Sequence, residues 1–341
     1  MKRVLGFLAA LAIAAPASAQ IVVDGTIDAE YGAALAVQTV QTQFGNSTGG
    51  ITGGGELDAG YAAIAGGRLY VMLTGNIENN LNKVSVFIDS KAGGENVLSN
   101  LPQYDTNNVS QNFGGLTFDA GFTADYHLFG RWDGADNVFE VDIADRAGGG
   151  SALVDVNGGV ATTGAGTAVQ SGVVNPGNNG LNNVGDRVLT GFLTSTLEFG
   201  FNNNNSAGVV AGTAAADQTA AAAVTTGLEF SIALADIGNP GFGDLIKIHA
   251  AYGNGDNNFH SNQVLAGLPT DMMNGVALGT GNLGGNGSAG FTGTLSGVNF
   301  SNYAGDQFFS IRVPVPEPAS GVLAALAGLA LAAAAWRRAA A

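Results

Sequence analysis

Apolar and polar side chains alternate with a period of two in seven separate stretches of the chain. They are Arg68–Thr74, Lys83–Asp89, Val138–Ile143, Thr196–Phe201, Gly227–Ile232, Leu245–Ala250 and Phe308–Val313. In the sixth, Ile246, Ile248 and Ala250 share one face while Lys247 and His249 share the other, the pattern of a half-buried strand. In the third, the acids Glu140 and Asp142 fall on the face predicted to be wet. Turns rich in Gly, Asn and Asp separate the stretches, and no amphipathic pattern three helical turns long intervenes. This predicts an all-β fold, an antiparallel β-sandwich of jelly-roll type with long Gly-, Asn- and Ala-rich loops. Two segments break the rhythm, residues 148–181 and 214–223, both nearly free of charge and of large apolar residues. Neither can build a core of its own, so both are read as long loops or weak edge strands inserted into the sandwich.

The two ends follow a different pattern. Lys2 and Arg3 precede an apolar run from Val4 to Ala15, and Ala17-Ser18-Ala19 places small residues where a signal peptidase cuts. Residues 1–19 therefore predict a secretory signal peptide, since about a dozen apolar residues fall short of a bilayer span. At the other end, Pro316-Glu317-Pro318 leads into an apolar run from Gly321 to Trp336, closed by Arg337-Arg338. Prolines at 314, 316 and 318 stop regular structure just before the run, which predicts a transmembrane helix with the Arg pair on the cytoplasmic side. Residues 20–313 would then form one extracytoplasmic domain, and residues 314–341 a separate tail.

Composition narrows the chemistry. The chain has 341 residues, 54 of them Gly, without the G-X-Y period of collagen, and no Cys, which removes disulfides, zinc-thiolate sites and Cys nucleophiles. Net charge is −15 overall. Between residues 20 and 313, eight basic residues face 26 acids, a balance of −18. Such a surface excludes nucleic acid as a partner and suits divalent cations.

The tail of Pro-Glu-Pro motif, apolar helix and basic tip resembles the PEP-CTERM sorting signal of Gram-negative bacteria. The resemblance assigns Pro316, Glu317, Pro318, Arg337 and Arg338 to the sorting motif. It implies processing by signal peptidase and by an exosortase, a membrane transpeptidase, after transit through the inner membrane in a host that makes exopolysaccharide. Phrases such as Gly115–Phe122, Ser261–Leu265 and Gly305–Phe309 are similar to those of exported PEP-CTERM proteins of planctomycete-type bacteria. The opening Val22-Val23-Asp24-Gly25-Thr26-Ile27-Asp28-Ala29-Glu30-Tyr31, with Leu69–Val71, Phe87–Asp89 and Gly227–Gly238 in that order, resembles family 9 carbohydrate-binding and DOMON-like β-sandwiches. That likeness implies a sandwich, but carries over no ligand-binding residue.

Candidate sites are few. Arg131-Trp132-Asp133 is read as lying in a turn between strands, where the one Trp of the domain would stack on a sugar ring beside polar neighbours. Asn254, Asp256 and Asn258 offer oxygen ligands on a tight turn, the donor type Ca²⁺ prefers, and Asn202–Ser206 is similar in kind. Plain turns explain both equally, because Asn tolerates left-handed geometry. His127, His249 and His260 belong to no Ser elbow or two-His metal motif. Gly53-Gly54-Gly55 and Gly148-Gly149-Gly150 lack the Lys-Ser/Thr and helix start of phosphate loops. The expected function is a non-catalytic structural or adhesive protein of the cell envelope or extracellular matrix, without a cofactor unless Ca²⁺ binds. The alternatives are a module binding exopolysaccharide and an extracellular hydrolase with a carboxylate pair.

Overall fold

The computed structural model describes residues 20–45, 54–100, 106–146, 156–159, 162–163, 168–176, 192–205, 207–212, 214–268, 272–273, 276–277, 281–315, 328–329, 331–333 and 335–338. Residues 21–313 form one compact unit, and residues 1–20 with 314–341 another. In the first unit the strands are β1 (Ala36–Val37), β2 (Glu56–Ala65), β3 (Arg68–Asn76), β4 (Asn80–Asp89), β5 (Tyr126–Asp133), β6 (Val138–Asp145), β7 (Val156–Gly159) and β8 (Thr162–Thr163). They continue as β9 (Val169–Val174), β10 (Leu197–Asn202), β11 (Gly227–Ala233), β12 (Leu245–Gly253), β13 (His260–Leu265), β14 (Met272–Met273), β15 (Val276–Ala277) and β16 (Phe309–Arg312).

Fourteen of these strands make two antiparallel sheets, and β14 and β15 pair with each other. The first runs β1-β2-β3-β11-β10-β9-β8 and the second β13-β12-β4-β5-β6-β7, with β16 beside the first half of β12. All seven stretches of alternation are strands. The connectivity differs from a jelly roll, which crosses between sheets more often. Here β1–β3, β4–β7 and β8–β11 each stay within one sheet, giving stacked meanders. Gly66 and Gly67 (φ 57° and 77°) close the β2–β3 hairpin between paired Ala65 and Arg68, a two-residue turn whose positive φ angles suit glycine.

Segment 148–181 is partly described and 214–223 wholly. β7, β8 and β9 fall in the first, with β7 and β8 at sheet edges. The second contains a short helix, α1 (Gln218–Ala222), which the loop reading did not anticipate. Asp217 caps it, accepting hydrogen bonds from the backbone N–H groups of Thr219 and Ala220.

Leu69, Val71 and Leu73 of β3 share the inner core with Val84, Val86 and Ile88 of β4, and with Phe199 and Phe230. The outer faces are covered as well. Residues 21–31 cross the first sheet, where Ile21 and Tyr31 pack on Ala59, Tyr61, Tyr70 and Met72. The crossing is close: a Cβ on Gly25 would lie 2.6 Å from Asn202 N, and one on Gly200 would lie 2.5 Å from Asp24 C. On the second sheet's outer face lies another core, in which Phe87 and Val264 of the strands meet Leu98, Phe113, Phe118 and Phe300 from the connections. The expected half-buried strands with one wet face are therefore corrected: Asp142 and His249 are both buried, His249 against Phe118 and Phe300 of this layer.

The C-terminal strand belongs to both cores. Val298, Phe300, Phe309 and Val313 are each at most 4% exposed. At roughly 2 kcal/mol per large apolar side chain, they contribute about 8 kcal/mol, comparable to the whole stability of a domain. Truncation after Gly297 is therefore expected to abolish cooperative thermal unfolding followed by circular dichroism. A truncated chain that melts sharply at the original midpoint would show that the strand is dispensable.

Candidate functional site

The residues expected to carry chemistry are mostly engaged within the fold. Trp132 lies on β5, not in the turn after it, and is 7% exposed. Its ring meets Phe201 edge-on at 5.5 Å, and its indole N–H donates to Asn137 Oδ1 at 2.9 Å. It is thus part of the inner core and presents no open face for a sugar ring. Arg131 points the other way, donating to Glu140 at 2.5 Å with Asp142 at 3.6 Å, its guanidinium over the Phe129 ring. Asp133 accepts from the N–H groups of Ala135 and Asp136, shaping the β5–β6 turn.

In the turn at 254–258, Asn254 Oδ1 accepts from the N–H groups of Asn258 and Phe259, and Asn254 Nδ2 donates to Asn258 Oδ1. These amide oxygens build the turn. Asp256 is exposed, and its backbone carbonyl accepts from Asn112. At 202–205, the Asn202, Asn203 and Asn205 oxygens accept from Asn204, Ile77 and Ala207 N–H groups. Among the described residues no group of three or more His, Asp or Glu converges as metal ligands.

The three His residues share the outer core of the second sheet. His127 stacks on Phe87 at 4.2 Å and 7°, and His249 lies 5.0 Å from Phe118 and 4.7 Å from Phe300. His260, expected in a loop, begins β13 and meets Phe300 at 5.4 Å. His249 donates from Nδ1 to the Gln307 carbonyl at 2.7 Å, and His260 from Nδ1 to the Ser261 carbonyl at 2.9 Å, since a carbonyl only accepts. Loss of water pushes His249 down to about 3, His260 to about 4 and His127 well below its ordinary value. All three are neutral packing groups at neutral pH.

Buried carboxylates, which the alternation had placed on wet faces or left unremarked, hold the covering layers in place. Glu229 on β11 accepts from the N–H groups of Asp24 and Gly25 at 2.9 and 3.0 Å, and from the Tyr31 hydroxyl at 2.7 Å. The Asp-Gly phrase near the N-terminus is thereby fastened to the first sheet. Asp236 accepts from both the N–H and the hydroxyl of Thr194 and of Ser195. Glu95 pairs with Arg146 at 2.5 Å, with the Arg side chain fully buried. Glu56 and Asp58 lie together on β2, both at most 1% exposed, without a basic partner among the described residues. The one sequence hint of Glu229's burial was the apolar content of residues 21–31, which needs a surface to cover.

Of the sorting motif, Pro316, Glu317 and Pro318 lie outside the described residues, as do residues 1–19. Described positions from 328 to 338 are helical, with Arg337 and Arg338 exposed. No helix among the described residues is long and apolar enough to cross a membrane. No family model, curated protein or solved structure matches the chain.

Burial of these groups sets a pH dependence. Desolvation raises Glu56 to about 9, and Asp58 and Glu229 each to about 7, so the folded chain holds protons that the unfolded chain releases above about 4.5. Their effect is loss of stability as pH rises toward 9. The His residues act oppositely: stability is lost as pH falls from about 6.5 toward their lowered values. In chelator, the melting temperature is expected to peak at about pH 5 to 6 and decline on both sides, with Glu229→Gln flattening the decline between about 5 and 7. A midpoint that climbs steadily to about pH 9 would contradict this assignment.

Proposed function

We propose that the chain is an exported protein of PEP-CTERM type, whose residues 20–313 act outside the cytoplasm in a non-catalytic structural or adhesive role. The carrying observation is the order of features after the last strand. β16 ends at Arg312, and Val313 still donates its N–H to the Asp244 carbonyl. Three residues further on comes Pro316-Glu317-Pro318, then the apolar run to Trp336, then Arg337-Arg338. A membrane transpeptidase needs a short accessible stretch between a folded domain and a bilayer-held segment, and the prolines keep that stretch free of regular structure. The Arg pair holds the far end at the cytoplasmic face.

The interior of the domain supports a structural role. His127, His249, His260 and Trp132 are spent on packing, while Asp24, Glu30, Asp136, Asp217, Asp256 and Asp306 lie exposed. An exterior of this sign keeps the domain soluble and suits bridging by divalent ions or polymer in a matrix. Signal peptidase and exosortase are its processing partners, and exopolysaccharide is the polymer expected around it.

Mass spectrometry of the protein recovered from the surface of its host tests the proposal. The expected mature chain begins at Gln20 and lacks the segment from Gly321 onward. An intact Trp336-Arg337-Arg338 terminus on the surface-localised protein would overturn sorting and leave a membrane anchor.

A further inference from the structure

We propose that Glu56, Asp58 and Asn76 form a buried binding site for one hard divalent cation, Ca²⁺ by preference, on the outer face of the first sheet. It is separate from the sorting proposal and from the 254–258 turn, and it begins with a break in register. Leu57 pairs with Gly75 and Ala59 with Thr74, so Asp58 is an extra residue without its own partner on β3. Leu57 turns into the inner core, which directs its neighbour Glu56 away from it. Asn76 stands opposite Glu56 across the hairpin and donates from Nδ2 to Glu56 Oε1 at 2.9 Å. Asp58 Oδ1 accepts from the N–H of Val209 at 2.7 Å.

Each of the three side chains keeps one buried oxygen without a hydrogen-bond partner: Glu56 Oε2, Asp58 Oδ2 and Asn76 Oδ1. All three residues are at most 1% exposed. The Asn76 oxygen belongs to the same amide whose Nδ2 donates to Glu56 Oε1. Unpartnered buried acceptors are rare and costly, and three on neighbouring residues of one hairpin call for a ligand that accepts lone pairs. Two carboxylates also need positive charge, and no Lys, Arg or His pairs with either among the described residues. Gly208 comes close enough that a Cβ there would lie 2.3 Å from Asp58 Oδ1, so its lack of a side chain leaves this carboxylate room.

The donor set selects the ion. Two carboxylates and an amide oxygen are hard ligands, with no N or S donor to favour zinc or copper. Ca²⁺ accepts irregular oxygen geometry, whereas Mg²⁺ requires near-octahedral ligation and keeps its waters. The alternative occupant is a proton, which burial favours on both acids in the absence of metal.

The test is calorimetric titration and thermal unfolding of the full chain in mild detergent, stripped with EDTA, in about 0.5 M NaCl to screen surface charge. CaCl₂ is expected to bind with one ion per chain and to raise the melting temperature by roughly 5 °C or more at 100 times Kd. MgCl₂ should act more weakly. Glu56→Gln imitates the protonated acid, so it should fold and lose the Ca²⁺ response, while Asp256→Ala keeps it. The proposal is overturned by equal midpoints in Ca²⁺ and EDTA, by a full response in Glu56→Gln, or by loss of the response in Asp256→Ala.

Discussion

Carboxylates buried without a neighbouring cation are the constraint on which the outer layers of this protein depend. A two-sheet sandwich needs only its inner faces covered, yet here both outer faces carry a second layer of chain. Covering a strand that bears an acid is costly unless donors arrive with the covering segment. Glu229 receives two backbone N–H groups and a phenol from residues 24–31, and Asp236 receives four donors from Thr194 and Ser195. Asp125 likewise accepts from the N–H groups of Ser90 and Lys91 as the chain leaves β4. The acid and its covering segment thus fix each other's position.

The second layer also explains the His residues. An imidazole on a strand's outer face would titrate near neutrality in water; between Phe side chains it stays neutral and packs as an aromatic ring. Gln307 serves both purposes. Its carbonyl accepts from His249, and its N–H donates to Asp119 at 2.5 Å, tying the chain just before β16 to the aromatic layer. The chain that covers the second sheet is therefore held by polar contacts at the same places where it packs.

The strands were legible where large apolar residues alternate with polar ones, as in β3, β4 and β12. β2 was not, because Glu-Leu-Asp-Ala-Gly-Tyr-Ala-Ala-Ile-Ala mixes small residues on both faces and carries a bulge that shifts the alternation. β5 was missed because in Tyr-His-Leu-Phe-Gly-Arg-Trp the apolar Phe129 falls on the same face as His127 and Arg131 and breaks the alternation, a consequence of both faces being buried. Alternation reports that a side chain changes sides, not whether the far side is wet. For that reason Glu229, Asp142 and His249 read as solvent-facing. Trp132 was placed in a turn because Asp133-Gly134 follows it, although the strand runs to Asp133. The covering segments have no period at all, so their course over the sheets is set by contacts distant in sequence, such as Asp24 with Glu229.

If buried acids fasten the covering layers, removing one should release its segment and leave the sheets intact. Hydrogen exchange on Glu229→Ala, compared with the unaltered chain, measures this directly. The amide of Gly25 should lose most of its protection, together with the neighbouring amides of residues 21–31, while those of β3, β4 and β12 keep theirs. Unchanged protection at Gly25 would mean that apolar packing alone holds this segment, and would contradict the account.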